Sequence, residues 1–188
     1  MRKLLSGLLS VSLAVCLLAP AAGAAETSFR DVPANSALAA EVEKAVDYGL
    51  MNGYSADTFG YGDAMTRAQF VTVVGRMLPE DLRGASVAIS HVGPAMAVPN
   101  TKEMAPFFPS IEQAARMGWV DSTVPFRPSD PITRGEMAEI LVRALGLGSA
   151  ADQIASGGSY GRLLGGTPFT DVSPENQGYI AIAYDIGM

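Results

Sequence analysis

Two arginines hold the same place in two similar stretches of this 188-residue chain. Arg67 sits in Thr66-Arg67-Ala68-Gln69, and Arg134 in Thr133-Arg134-Gly135-Glu136. Thr-Arg-x-Gln/Glu is a capping box: the Thr hydroxyl accepts from the amide three residues on, and the Gln or Glu reaches back to the Thr amide. Thr66, Gln69, Thr133 and Glu136 are therefore expected to cap helices, with each arginine in the first helical position. A cation there opposes the helix dipole by up to about 1 kcal/mol, where helix stability alone would favour an acidic residue or Pro. Two readings stand with equal weight. The arginines orient neighbouring segments through salt bridges, or sit by chance on an exposed turn; alternatively, each builds an anion site beside free helix-N-terminal amides.

Other reactive groups are sparse. His91 is the single histidine, which excludes a His metal cluster and leaves nothing beyond one isolated side chain for a nucleophile-His pair. No Gly-rich phosphate loop follows a strand. Glycoside hydrolysis needs only two carboxylates, but Glu41 and Glu43 fall on different sides of a helix, and Glu80-Asp81 read as solvated charges on a turn. Asp57 and Asp63 bracket a loop of calcium-binding character without the alternating oxygen ligands of a calcium loop. No catalytic residue, metal or cofactor is expected, and the chain reads as a non-catalytic binding module.

The elements that position the arginines are repeated. Residues 42–77 overlay residues 111–145: Ala45 to Gly49 matches Ala114 to Gly118, and Phe59 and Phe126 each precede the capping Thr by seven positions. Each copy reads as two helices joined by a turn-rich loop. In the first copy Asn35 or Ser36 caps a helix carrying Leu38, Val42, Ala45 and Val46 at helical spacing, and Gly49 ends it. In the second, Ser110 with Gln113 forms the cap and Gly118 the end. The following helices carry apolar stripes: Phe70, Val73, Val74 and Met77 in one, Met137, Ile140, Leu141 and Leu145 in the other.

Residues 1–24 read as an export signal: Arg2 and Lys3 precede an apolar run from Leu4 to Leu18, Pro20 breaks it, and small residues follow at Ala22 and Ala24. Cys16 fits a lipid anchor poorly, since Val15 is bulky and Leu17-Leu18 prolong the apolar core. The run falls short of the ~20 residues that span a bilayer, and no transmembrane segment is expected after cleavage. Of 13 basic residues, removal of Arg2 and Lys3 leaves 11 against 19 acidic, a formal charge of −8. Such a surface repels nucleic acid and anionic lipid, so an anionic ligand needs a few local arginines. Residues 79–109, rich in Pro, read as an insertion with a short helix or strand near Ala85 to Ile89, and Gly/Ser-rich residues 148–168 as a linker.

These motifs resemble the S-layer homology domain. The first repeat, residues 29–78, carries Phe29-Arg30-Asp31-Val32, then Gly53-Tyr54 through Asp57-Thr58-Phe59, then Thr66-Arg67-Ala68-Gln69-Phe70. The second, residues 110–147, keeps Gly118, Phe126-Arg127-Pro128 and Thr133-Arg134-Gly135-Glu136, but its opening has drifted to Ile89-Ser90-His91-Val92, and Trp119 to Asp121 stand where Gly-Tyr belongs. A third, residues 169–188, opens with Phe169-Thr170-Asp171-Val172, runs through Tyr179, Ile180 and Ala183 to Gly187-Met188, and lacks its Thr-Arg helix. The resemblance implies a mostly α fold of helix-loop-helix repeats in a pseudo-threefold arrangement, the third incomplete.

The resemblance further implies a secreted anchoring module at the cell wall or cell surface. Its partner would be an anionic secondary cell-wall polysaccharide, pyruvylated in many members, or peptidoglycan. Arg67, Arg134, Gly53, Tyr54, Asp31 and Trp119 are its candidate ligand-binding residues: the arginines for acidic substituents, Gly53 for close backbone approach, Tyr54 and Trp119 for stacking. A core role for either aromatic is as strong an expectation. The alternatives are a structural assembly protein whose repeats pair with another chain or self-associate, and the anchor of an enzyme lying beyond Met188.

Overall fold

The computed structural model describes residues 29–34, 36–80, 83, 92–156, 169 and 171–188. The expected export signal, residues 1–24, the segment Ala85 to Ile89, and Ser90 and His91 lie outside these. Among the described residues the chain forms six α-helices and no strand: α1 Ala39–Asp47, α2 Arg67–Arg76, α3 Phe108–Arg116, α4 Arg134–Ala144, α5 Gly148–Ala155 and α6 Gln177–Asp185. Short 3-10 turns occupy Pro94–Met96, Ala105–Phe107 and Pro174–Asn176. No helix among these residues is long and apolar enough to cross a membrane.

Both capping boxes form. Gln69 N–H donates to Thr66 Oγ1 at 3.3 Å and Thr66 N–H to Gln69 Oε1 at 2.8 Å. Glu136 N–H donates to Thr133 Oγ1 at 3.2 Å and Thr133 N–H to Glu136 Oε2 at 2.9 Å. The first helices of the repeats end as expected: Gly49 and Gly118 adopt φ of +65° and +70°, so the next amide folds back onto the last turn, Leu50 onto Ala45 O and Trp119 onto Ala114 O. Their starts differ from expectation. α1 begins at Ala39 without a side-chain cap, after a turn in which Ala39 N–H donates to Ser36 O. The Ser36 hydroxyl has no partner among the described residues, and Asn35 lies outside them. α3 begins at Phe108, because the preceding 3-10 turn runs directly into a first turn that contains Pro109. That places Ser110 inside the helix and buries Gln113 against Gly75 of α2.

The apolar stripes hold over most of their length, with Phe70, Val74 and Ile140 buried and Met137 and Leu141 packed against the first core, and fail at the helix ends. On α2, Phe70, Val71 and Val74 are buried while Met77 is 59% exposed. They meet Ile111, Ala114 and Ala115 of α3, Ile140 of α4, and Trp119 and Phe126 in one core. α4 serves two cores at once: Ile140 faces the first, while Ala138 and Val142 join Ala151 of α5 and Tyr179, Ile182 and Ala183 of α6 in a second. Leu145, expected in the stripe, is exposed. A helix flanked on both sides buries two edges, which a single-stripe reading misses. Phe29, Val32 and Ala39 form a smaller third core with Val42, Val46 and Phe59.

Two expected connections carry structure. Within residues 79–109, Met96 and Met104 are buried in the first core, and Phe126 N–H donates to Met96 O at 2.8 Å. The expected linker 148–168 begins with α5, whose Ala151 carbonyl lies hard against Gly178 of α6, so any side chain at 178 would collide with backbone. Tyr179 reaches back to α5, its hydroxyl donating to Asp152 Oδ1 at 2.6 Å, while the Arg143 guanidinium lies 4.7 Å over its ring. Small residues permit that approach of α5 and α6, a feature composition alone presents as linker.

Candidate functional site

Arg67 and Arg134 share a motif but not a surrounding. Arg67 is folded into the junction between the two repeats, its side chain only 12% exposed. Its Nε donates to Phe126 O at 2.6 Å, Nη1 lies 2.7 Å from Glu136 Oε1, and the guanidinium sits 5.0 Å from the Phe126 ring centroid. Glu136 also accepts from Arg127 Nη2 at 2.6 Å, so one carboxylate ties two arginines while closing the α4 capping box. Burial lowers the Arg67 pKa and Glu136 opposes that shift. On Glu136, burial pushes upward but is outweighed by the Thr133 amide, Arg67, the Thr133 hydroxyl and Arg127, leaving the carboxyl below its ordinary range.

The amides at the start of α2 are also engaged. Arg67 N–H donates to Asp130 O and Ala68 N–H to Pro128 O, each at 3.0 Å, and Ile132 N–H donates to Met65 O at 2.9 Å. Thr66 and Pro131 form an isolated antiparallel bridge. The α2 N-terminus is thus occupied by the second repeat's loop, and the free-amide condition for an anion site is not met there. In the equivalent place on α4, the amides of Arg134 and Gly135 have no protein partner among the described residues. Arg134 is exposed and makes no ion pair among them. It borders an open groove of about 700 Å³ between α4 and α6, with Asp171, Phe169 and Tyr184 also on the wall.

In the first repeat, the Asp31 carboxylate is a clamp. It accepts from the amides of Phe59 at 2.8 Å, Gly60 at 2.7 Å and Tyr61 at 2.8 Å. The Phe59 and Tyr61 amides lead in depressing its pKa. Gly53 is required for packing: a Cβ there would fall 2.5 Å from Phe29 Cε1, 2.7 Å from Thr58 O and 2.8 Å from Ser55 O. The missing side chain admits the Phe29 ring. Asp57, once a possible calcium ligand, is held by Ser55, Thr58 and Arg30 instead. Trp119 is 2% exposed in the first core, so stacking on a ligand is replaced by a packing role.

Of the two candidate stacking aromatics, Tyr54 is the one at the surface, 63% exposed. Its ring lies where a Cβ of Gly60 would be, 2.5 Å from Cε2, so the glycine backbone supports one side of the ring. Gly60 also requires φ of +92°. An open groove of about 590 Å³ runs between α1, residues 51–65 and α2, with Tyr54, Tyr61, Asn52, Asp63, Arg76 and Phe107 among its walls. The Asp31 clamp holds the amides of Phe59, Gly60 and Tyr61, which are part of that wall. Sequence reasoning missed Asn52, Asp63 as a groove residue, Arg76 and Phe107, which carry no motif of their own; only the fold converges them.

The family model for the S-layer homology domain matches residues 28–71 and 101–138. Over 150 residues the chain is 30% identical to "Surface layer protein" of Brevibacillus choshinensis, an alignment covering 78% of this chain and 13% of that relative. The chain therefore spans only a small part of the relative's length. No solved structure matches it. With Thr-Arg capping boxes at the start of α2 and α4 and the family model on both segments, the chain carries the S-layer homology domain over residues 28–71 and 101–138.

Proposed function

We propose that this chain is a secreted, non-catalytic attachment module that holds a protein at the cell surface by non-covalent binding to wall polysaccharide or peptidoglycan. The observation that carries the reading is the family match on both repeats, with the surface-layer relative in support. Arg134 is assigned to acidic substituents of the polymer, since it is exposed beside two amides without protein partners among the described residues, and Arg67 to holding the repeats together. Purified cell walls test this by co-sedimentation: the parent chain is expected to pellet with walls and Arg134→Ala to be released at lower salt. Parent protein that stays in the supernatant refutes attachment, and an Arg134→Ala variant indistinguishable from the parent refutes the assignment.

One observation favours a second reading, assembly with another polypeptide. The α2 N-terminus is docked by residues 128–132, whereas the matching α4 surface presents amides unpaired among the described residues and a groove with exposed Phe169 and Tyr184. A pseudo-threefold unit, as the family resemblance implies, would place another loop there. Light scattering separates the readings: a concentration-dependent oligomer indifferent to wall polymer supports assembly, and a monomer that sediments with walls supports attachment.

A further inference from the structure

Asn52-Gly53 is the one Asn-Gly step in the sequence; the other asparagines, Asn35, Asn100 and Asn176, precede Ser, Thr and Gln. Asparagine is a chemically labile side chain, and a following glycine, lacking Cβ, leaves its own amide nitrogen without steric cover. Both groups that would have to meet are uncommitted. The Asn52 side chain is exposed and has no hydrogen-bond partner among the described residues, and the Gly53 amide donates to none of them. The step lies outside helix and strand, between the end of α1 and a turn in which Ser55 N–H donates to Thr58 O at 3.2 Å.

We infer that Asn52 is a site of spontaneous covalent modification, deamidation through a cyclic imide, and that its isoaspartyl product loosens the loop that follows. The Gly53 nitrogen gives up its proton and attacks Asn52 Cγ; the new C–N bond forms as the Cγ–Nδ2 bond breaks, and ammonia leaves with that proton. Water then opens the imide. Addition at Cγ gives aspartate with the original main chain, and addition at the backbone carbonyl gives isoaspartate, whose main chain runs through Cβ and Cγ. Nothing is oxidised or reduced, and water is the sole co-reactant. Either product adds a carboxylate to a groove wall that already holds Glu41 and Asp63.

The two products differ in what they ask of the backbone. Isoaspartate lengthens it by a methylene, and the chain is pinned on both sides of the step. Before it, Leu50 and Met51 N–H both donate to Ala45 O, at 2.9 and 3.1 Å, and Arg76 Nη1 donates to Leu50 O at 3.0 Å. After it, Gly53 is packed so closely against Phe29 and the Ser55 and Thr58 carbonyls that a Cβ does not fit. Relief comes from lifting Gly53 away from Phe29, which belongs to the third core, and this strains the run to residues 59–61 that Asp31 holds.

The test incubates the full chain at mildly alkaline pH, native and in urea, and follows tryptic residues 45–67, which contain no other asparagine, by mass spectrometry. Native conversion at Asn52 is expected to be at least about tenfold faster than at the other asparagines and within about tenfold of the urea rate. It should rise with pH and vanish in Asn52→Gln, whose longer side chain closes a larger ring more slowly. The isoaspartyl form, separated by chromatography, is expected to exchange the Phe59 and Tyr61 amide hydrogens about tenfold faster than the parent. Freshly purified Asn52→Asp, with the same added charge and a normal backbone, should exchange them as the parent does. A native chain in which residue 52 stays intact while the unfolded chain converts overturns the inference, and so does an isoaspartyl form with parental exchange.

Discussion

Replacing Arg67 with Ala removes three contacts at once. A hydrogen bond from a charged donor to a half-buried carbonyl contributes about 1.5–3 kcal/mol, and Phe126 O loses its Arg67 partner. The guanidinium over the Phe126 ring adds about 0.5–1 kcal/mol. The part-buried ion pair with Glu136 adds about 0.5–1 kcal/mol, and no more because Glu136 keeps Arg127 at 2.6 Å and is not left unpaired. Allowing for overlap, the expected loss is about 3 kcal/mol, or about 9 °C in unfolding midpoint for a domain of this size. Trp119, the single tryptophan and 2% exposed in the core that α2 and α3 build, reports the transition by its fluorescence. Arg134→Ala is the control: an exposed residue without an ion pair among the described residues should shift stability by less than about 0.5 kcal/mol. A double-mutant cycle with Glu136→Gln should return a coupling above about 0.5 kcal/mol. Equal effects of the two arginine substitutions, or a coupling near zero, refute the assignment of Arg67 to the junction.

Asp31 gives a prediction with a sign. Its folded pKa lies below its ordinary value of 3.8, so its stabilisation is fully present above that value and lost as pH falls through the depressed folded one. Asp31→Asn should destabilise the first repeat at neutral pH and flatten the acid limb of stability against pH; an unchanged limb would count against the clamp. Glu136, also depressed from 4.5, contributes in the same sense from slightly higher pH. Gly53→Ala should cost about 1–3 kcal/mol in urea unfolding, since two of the three close neighbours are backbone carbonyls that cannot yield easily. Wild-type stability in that variant would show that Phe29 has room to move.

How far the sequence could be read follows from the range of each interaction. The capping boxes span three residues and the glycine ends of α1 and α3 are set by one backbone angle, so both were legible as patterns. The helix starts were less so, because α1 and α3 are entered through turns in which backbone carbonyls replace side-chain caps. Tyr54 and Trp119 were equivalent aromatics in the sequence. Burial divides them, and burial depends on residues such as Met96, whose place in the first core no local pattern announces.

The sequence by itself determined a helical, repeated chain with two Thr-Arg helix starts, one histidine and an acidic balance, and with these the domain it carries. Tertiary structure alone decided what the arginines do. Arg67 and Arg134 occupy identical positions in their helices, yet the loop at 126–132 docks on one and leaves the other exposed. The physical reason is that a guanidinium at a helix start is disfavoured locally in both places. Its role is set by which carbonyl, ring and carboxylate arrive from elsewhere in the chain. Arg67 meets Phe126 and Glu136, while Arg134 meets no such partner among the described residues.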